Sequence, residues 1–196
     1  MPTRIGTVVK SSDHVDYTVH VYGAADVDEP PEPADHAFGT FVSIPVRDGQ
    51  LIGLIYTTLL VNPDYGSVGP RLSPREQAAV FSPDYLDEKA ILVGVAIVGE
   101  RRVDGSISQR VPPLAAEVGA EARRLSDADV SAFHRPGGAL ELAYLPRLVE
   151  QAGPLGPSLA LAAIDGLLNS ADSQDRRILS LVREHVNWQA TVKGQG

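Results

Sequence analysis

The chain has 196 residues, 43% of them hydrophobic and 21% charged, which fits an ordinary globular protein and excludes a low-complexity disordered one. Its formal net charge of −8 opposes nonspecific binding to nucleic acid or anionic lipid, so neither a nucleic-acid nor a membrane partner is expected. It contains no cysteine, which excludes disulfides, thiolate metal sites and cysteine nucleophiles; with no apolar signal core and no run near the roughly 20 apolar residues of a bilayer span, a cytoplasmic location is expected.

Residues 5–9 are β-branched and alternating, and residues 17–22 alternate with Tyr17, Val19 and Val21 on one face. A polar loop follows over 26–35, where Pro30, Pro31 and Pro33 keep the chain out of a ladder and predict an exposed, mobile excursion. A strand over 40–46, the turn Arg47-Asp48-Gly49-Gln50 and an apolar run over 51–61 make the strongest hairpin signal in the sequence. Residues 62–88 break the pattern; Ser73-Pro74-Arg75-Glu76 has capping-box spacing and predicts a short helix over 74–81, within an insertion near 70–88.

Strand character returns over 90–98, and Asp104-Gly105 turns the chain into 107–111. Six short strands, with Gly6, Gly53 and Gly94 inside them, predict a small closed β-barrel over residues 1–112. Residues 117–125 read as a further extended segment. Residues 113–196 form a helical C-terminal region, so the overall class is α+β. Within it, Ser126 starts a helix that runs to about His134, and a partly helical stretch over 140–151 is interrupted at Pro146. Gly153-Pro154 and Gly156-Pro157 read as a linker near 153–157, followed by helices over 158–168 and 174–187.

The helix over 158–168 is apolar nearly all round, so it must be buried in its own core or against another subunit. The last helix carries Ile178, Leu181, Val182 and His185 on one stripe. Trp188 and that stripe either finish the intramolecular core, the preferred reading, or form a docking surface. The interface candidates are Leu161, Ile164, Leu168, Ile178, Leu181, Val182 and Trp188.

Signatures of nucleotide binding and hydrolysis are missing: no phosphate-binding loop, Gly-x-Gly-x-x-Gly, Gly-x-Ser-x-Gly or His-Glu-x-x-His occurs. No catalytic residue, cofactor-binding residue or metal ligand is nominated, and no cofactor is expected. One polar cluster, Asp13, His14, Asp16 and His20, with Asp35-His36 further along, has the imidazole and carboxylate chemistry of a divalent-metal site. Its plainer reading is a turn followed by the solvent face of a strand. His134 is assigned a structural role at a helix C-terminus, and His185 a packed or interface role.

Arg4-Ile5-Gly6-Thr7-Val8-Val9, the hairpin from Phe41-Val42-Ser43-Ile44-Pro45-Val46 to Leu51-Ile52-Gly53-Leu54-Ile55, and the later Pro112-Pro113 together resemble a HAS-barrel. This small barrel stands at the N-terminus of HerA-type DNA-translocating ATPases, and the resemblance covers roughly residues 3–112 or 3–125. It implies an element that helps form a ring and contacts partner proteins such as a nuclease, and it contributes no catalytic residue. Where the ATPase domain of that family begins, this chain has about 80 residues without a Walker motif. ATP hydrolysis is therefore not implied. The expected function is a non-enzymatic adaptor or assembly protein, a homo-oligomer or a partner of a ring ATPase. The alternative is a ligand- or metal-binding protein or enzyme with a site near Asp13, His14, Asp16 and His20.

Overall fold

A computed structural model describes residues 2–61 and 90–193, with side chains through 190. The expected insertion near 70–88 lies outside the described residues. Five long or medium strands come first: β1 (Arg4–Ser11), β2 (Asp16–Val21), β3 (Phe41–Val46), β4 (Gly49–Val61) and β5 (Ala90–Arg102). The two-residue β6 (Ile107–Ser108) and β7 (Glu121–Arg124) follow. Pairing runs β2-β1-β7-β3-β4-β5-β6, and β2 also pairs with β5. Every pairing is antiparallel, so β1, β7, β3, β4, β5 and β2 close a six-stranded barrel.

The sixth barrel strand is β7, which lies beyond residue 112. The segment expected over 107–111 supplies only two paired residues, against Arg101 and Glu100 on the outer end of β5. Register shifts between Val8 and Lys10, and between Ile52 and Gly53, mark bulges that bend the strands around the closure.

Two apolar clusters explain why β4 and β5 read as continuous apolar runs. Leu51, Ile55, Val93, Val95 and Ile97 point into the barrel and pack with Ile5, Val8, Tyr17, Val19, Val21 and Ile44. Their neighbours Ile52, Leu54, Ala96 and Val98 point outward, and a helical layer covers them. A strand buried on both faces loses its polar alternation. β2 keeps it: Tyr17, Val19 and Val21 are buried, whereas Asp16, Thr18 and His20 are half-buried.

The helical layer comprises α1 (Asp127–Phe133), α2 (Leu145–Gln151), α3 (Gly156–Leu168) and α4 (Ser173–Lys193). Ser126 caps α1, its hydroxyl accepting from the Asp129 N–H at 3.1 Å. Pro146 stands in the first turn of α2, where its missing N–H costs nothing. The expected linker near 153–157 is instead a packed turn: Gly153–Leu155 is a 3-10 turn and α3 begins at Gly156. A Cβ on Gly156 would lie 2.1 Å from the Val149 carbonyl oxygen, so glycine there permits the close approach of α2 and α3.

In α3, Leu159, Ala160, Ala163, Ile164 and Leu167 are buried on the barrel's outer wall. Each large aliphatic side chain so buried contributes roughly 1.5–3 kcal/mol. The proline-rich loop is tied down at its far end: Pro33–His36 forms a 3-10 turn, Arg124 donates to Asp35 at 2.9 Å, and His36 is buried.

Candidate interaction surface

Helix α4 starts where Asp172 accepts from the N–H groups of Gln174 and Asp175, both at 2.9 Å. Its 21 residues span roughly 30 Å. Leu179 and Val186 are buried, and Val182 packs beside them on the same cluster. Two ion pairs flank this face: Arg135 with the buried Asp175 near the first turn, and the half-exposed Arg183 with Asp165 of α3 at 2.8 Å.

The inward stripe is thus Leu179, Val182 and Val186, not the expected Ile178, Leu181, Val182 and His185. Ile178 is 41% exposed, Leu181 68% and Trp188 62%. His185 is also exposed and stacks on Trp188, the ring centroids 6.3 Å apart and the planes inclined by 29°. Gln189 Nε2 lies 2.9 Å from the His185 Nε2. Positions 178, 181, 185 and 188 are spaced three, four and three residues apart. That spacing is the seam period of one helix packing along another.

The earlier candidates on α3 divide differently. Ile164 is fully buried within the chain's own core, and Leu161 and Leu168 are partly buried against the same cluster. Trp188, whose preferred reading was core completion, stands outside that core.

The polar cluster near the N-terminus is dispersed into local contacts. Asp13 accepts from the N–H groups of Val15 and Asp16 at 2.7 and 2.9 Å, closing the β1–β2 turn. Asp16 accepts from the Tyr56 hydroxyl at 2.8 Å. Burial and that hydrogen bond push the Tyr56 hydroxyl up to about 12. His14 Nε2 sits 2.7 Å from the Pro112 carbonyl, and His20 lies on the outer face of β2 opposite Thr7 and Leu92. Asp35 is engaged by Arg124, and His36 is buried in its turn. Among the described residues no group of three or more His, Asp or Glu side chains is placed to hold a metal ion.

A groove of about 370 Å³ opens where β3 meets α1 and α3. Phe38, Phe41, Leu125, Val130 and Ala162 line it, with Arg124 and Asp127 at its edge. Gly39, at φ +83°, enters it so tightly that a Cβ would lie 2.8 Å from the Ala162 Cβ. Sequence reasoning gave no signal for this groove, because its walls come from three segments far apart in the chain.

Among the described residues no helix is long and apolar enough to cross a membrane. The model of a domain of unknown function, DUF8166, matches residues 1–195. No curated protein matches the chain.

Proposed function

We propose that this chain, which belongs to the DUF8166 family, is a non-catalytic assembly module acting in the cytoplasm. In this reading a HAS-barrel-like body presents α4 to a protein partner, such as a ring ATPase of the HerA type or a second copy of the chain. The observation that carries it is the outward stripe of Ile178, Leu181 and Trp188. Three large apolar side chains kept in water on one helix face, beside a separate buried face, are the signature of a surface that another protein covers. Support also comes from the barrel interior, which is filled by aliphatic side chains and Tyr17. The Tyr17 hydroxyl is satisfied by the Ala116 N–H at 3.1 Å.

The test is a photo-crosslinking amino acid placed at position 181 of the full chain, expressed in its native cells, with position 110 as a control. Adducts of one or a few defined protein masses at 181 and not at 110 support docking. Equal, diffuse labelling at both positions removes the basis for the reading.

A further inference from the structure

We infer that the α4 stripe packs against the same stripe of a second copy of this chain, the two helices running antiparallel about a two-fold axis. The inference rests on the docking reading above and names its occupant. It starts from the charges that flank the seam. On the solvent side of the stripe stand Arg177 and Glu184, one heptad apart and both exposed. Among the described residues neither side chain carries a hydrogen bond or an ion pair, whereas Arg183, one residue before Glu184, is paired to Asp165.

Two opposite charges spaced seven residues apart on one flank satisfy each other when the helix meets its own inverted copy. The fit is specific in register. With the axis between Ile178 and Leu181, Arg177 faces the partner's Glu184 and Glu184 faces the partner's Arg177. Ile178 then packs on the partner's Leu181, and Leu181 on the partner's Ile178. His185 meets the partner's Gln174, which lies on the same stripe. Trp188 reaches the partner's Ala171, two residues before the helix begins. Every exposed apolar side chain of the stripe is covered.

The competing antiparallel register, centred near Arg183, sets the two Glu184 side chains against each other. A parallel pair sets Arg177 beside the partner's Val182. Both leave the flank charges unmatched or opposed, and like charges across a seam select against a register. A single helix pair of this length is a small interface, so the dimer dissociates at concentrations on the order of micromolar.

The test is light scattering after size-exclusion chromatography of the full chain over a concentration series, with three variants. The wild type is expected to shift from 20.9 kDa toward twice that mass as concentration rises. Arg177→Glu is expected to weaken the dimer about tenfold, because two ion pairs become two repulsions. The double variant R177E/E184R is expected to restore it, which only the antiparallel register does. Leu181→Glu is expected to leave a monomer with unchanged circular dichroism, since the side chain stands outside the fold's own core. A wild type monomeric throughout overturns the inference, and so does a dimer indifferent to Arg177→Glu. The crosslinking experiment separates the two levels: a foreign adduct at 181 without a self-adduct sinks the dimer and leaves docking standing. Diffuse labelling there sinks both.

Discussion

The Nε2 of His134 lies 2.9 Å from the Tyr144 hydroxyl, and its Nδ1 lies 2.7 Å from the Val130 carbonyl. A carbonyl only accepts, so Nδ1 carries the proton and Nε2 accepts from Tyr144. Phe41 and Phe133 stand edge-on to the imidazole, at 5.2 and 5.1 Å between ring centroids. The residue joins α1, β3 and the segment before α2 into one buried cluster. It still bonds the last turn of α1, as a helix-terminal histidine does, but as a neutral group rather than a charge against the helix dipole.

A pH dependence follows from that neutrality. Burial, and secondarily the charge of Arg135, pull His134 down to about 4 from an ordinary 6.5, with the Val130 hydrogen bond opposing. The unfolded chain takes up this proton near pH 6.5 and the folded chain only near 4. The stabilisation is therefore complete above pH 6.5, is lost as pH falls through that window, and levels off below 4. It amounts to about 3 kcal/mol in all. Urea denaturation at pH 7.5 and 4.5 should show that fall in the wild type and much less of it in H134L/Y144F, which removes both polar partners together. Equal losses in the two proteins would assign the acid sensitivity to carboxylates.

Closure of the barrel depends on Gly6. A Cβ there would lie 1.8 Å from the His20 carbonyl oxygen, within the backbone of β2, where no side chain can move aside. Gly6→Ala should cost about 3 kcal/mol or more by overpacking. Gly105 is the contrast: its φ of +83° favours glycine, but nothing lies within 4 Å of an added Cβ. Gly105→Ala should cost about 1 kcal/mol, from backbone strain alone. Thermal melts of the two variants check the order, and a Gly6 variant as stable as the Gly105 one would contradict the tight β1–β2 approach.

How much of this was legible in the sequence depends on how many faces each element buries. The hairpin of β3 and β4 and the alternating β2 were readable because turn chemistry and a period of two leave few alternatives. β7 was not recognisable as a barrel strand: in Glu121-Ala122-Arg123-Arg124 only Ala122 points inward, and the strand is held by pairing with β1 and β3. Helix α4 misled the periodicity for a different reason. It has two adjacent apolar stripes, Leu179-Val182-Val186 facing in and Ile178-Leu181-Trp188 facing out. A stripe drawn through Ile178, Leu181, Val182 and His185 mixes them.

That distinction is testable by truncation on the two sides of the same helix. Leu179→Ala opens a cavity in the cluster that α4 shares with α3 and should cost about 2–4 kcal/mol. Leu181→Ala, measured at a concentration where the chain is monomeric, should fall within about 0.5 kcal/mol of wild type. Reversal of that order in chemical denaturation would show α4 rotated by a third of a turn from the face described.

The last prediction concerns what holds α4 at its N-terminal end. Arg135 follows the C-cap residue of α1, His134, and its guanidinium bridges the Ser131 hydroxyl at 2.8 Å and the Asp175 carboxylate. Asp175 is largely withdrawn from water, so truncating it leaves a mostly buried cation without its partner. Asp175→Ala should cost about 2–4 kcal/mol, and a double-mutant cycle with Arg135→Ala should show coupling well above about 1 kcal/mol that persists at high salt. The Arg183–Asp165 pair is about half exposed on both sides, so the same cycle there should give less than about 0.5 kcal/mol and fade with salt. The pair near the first turn thus ties the start of α4 to the end of α1, and with it sets the direction in which Leu181 and Trp188 face. Equal couplings in the two cycles would remove that assignment.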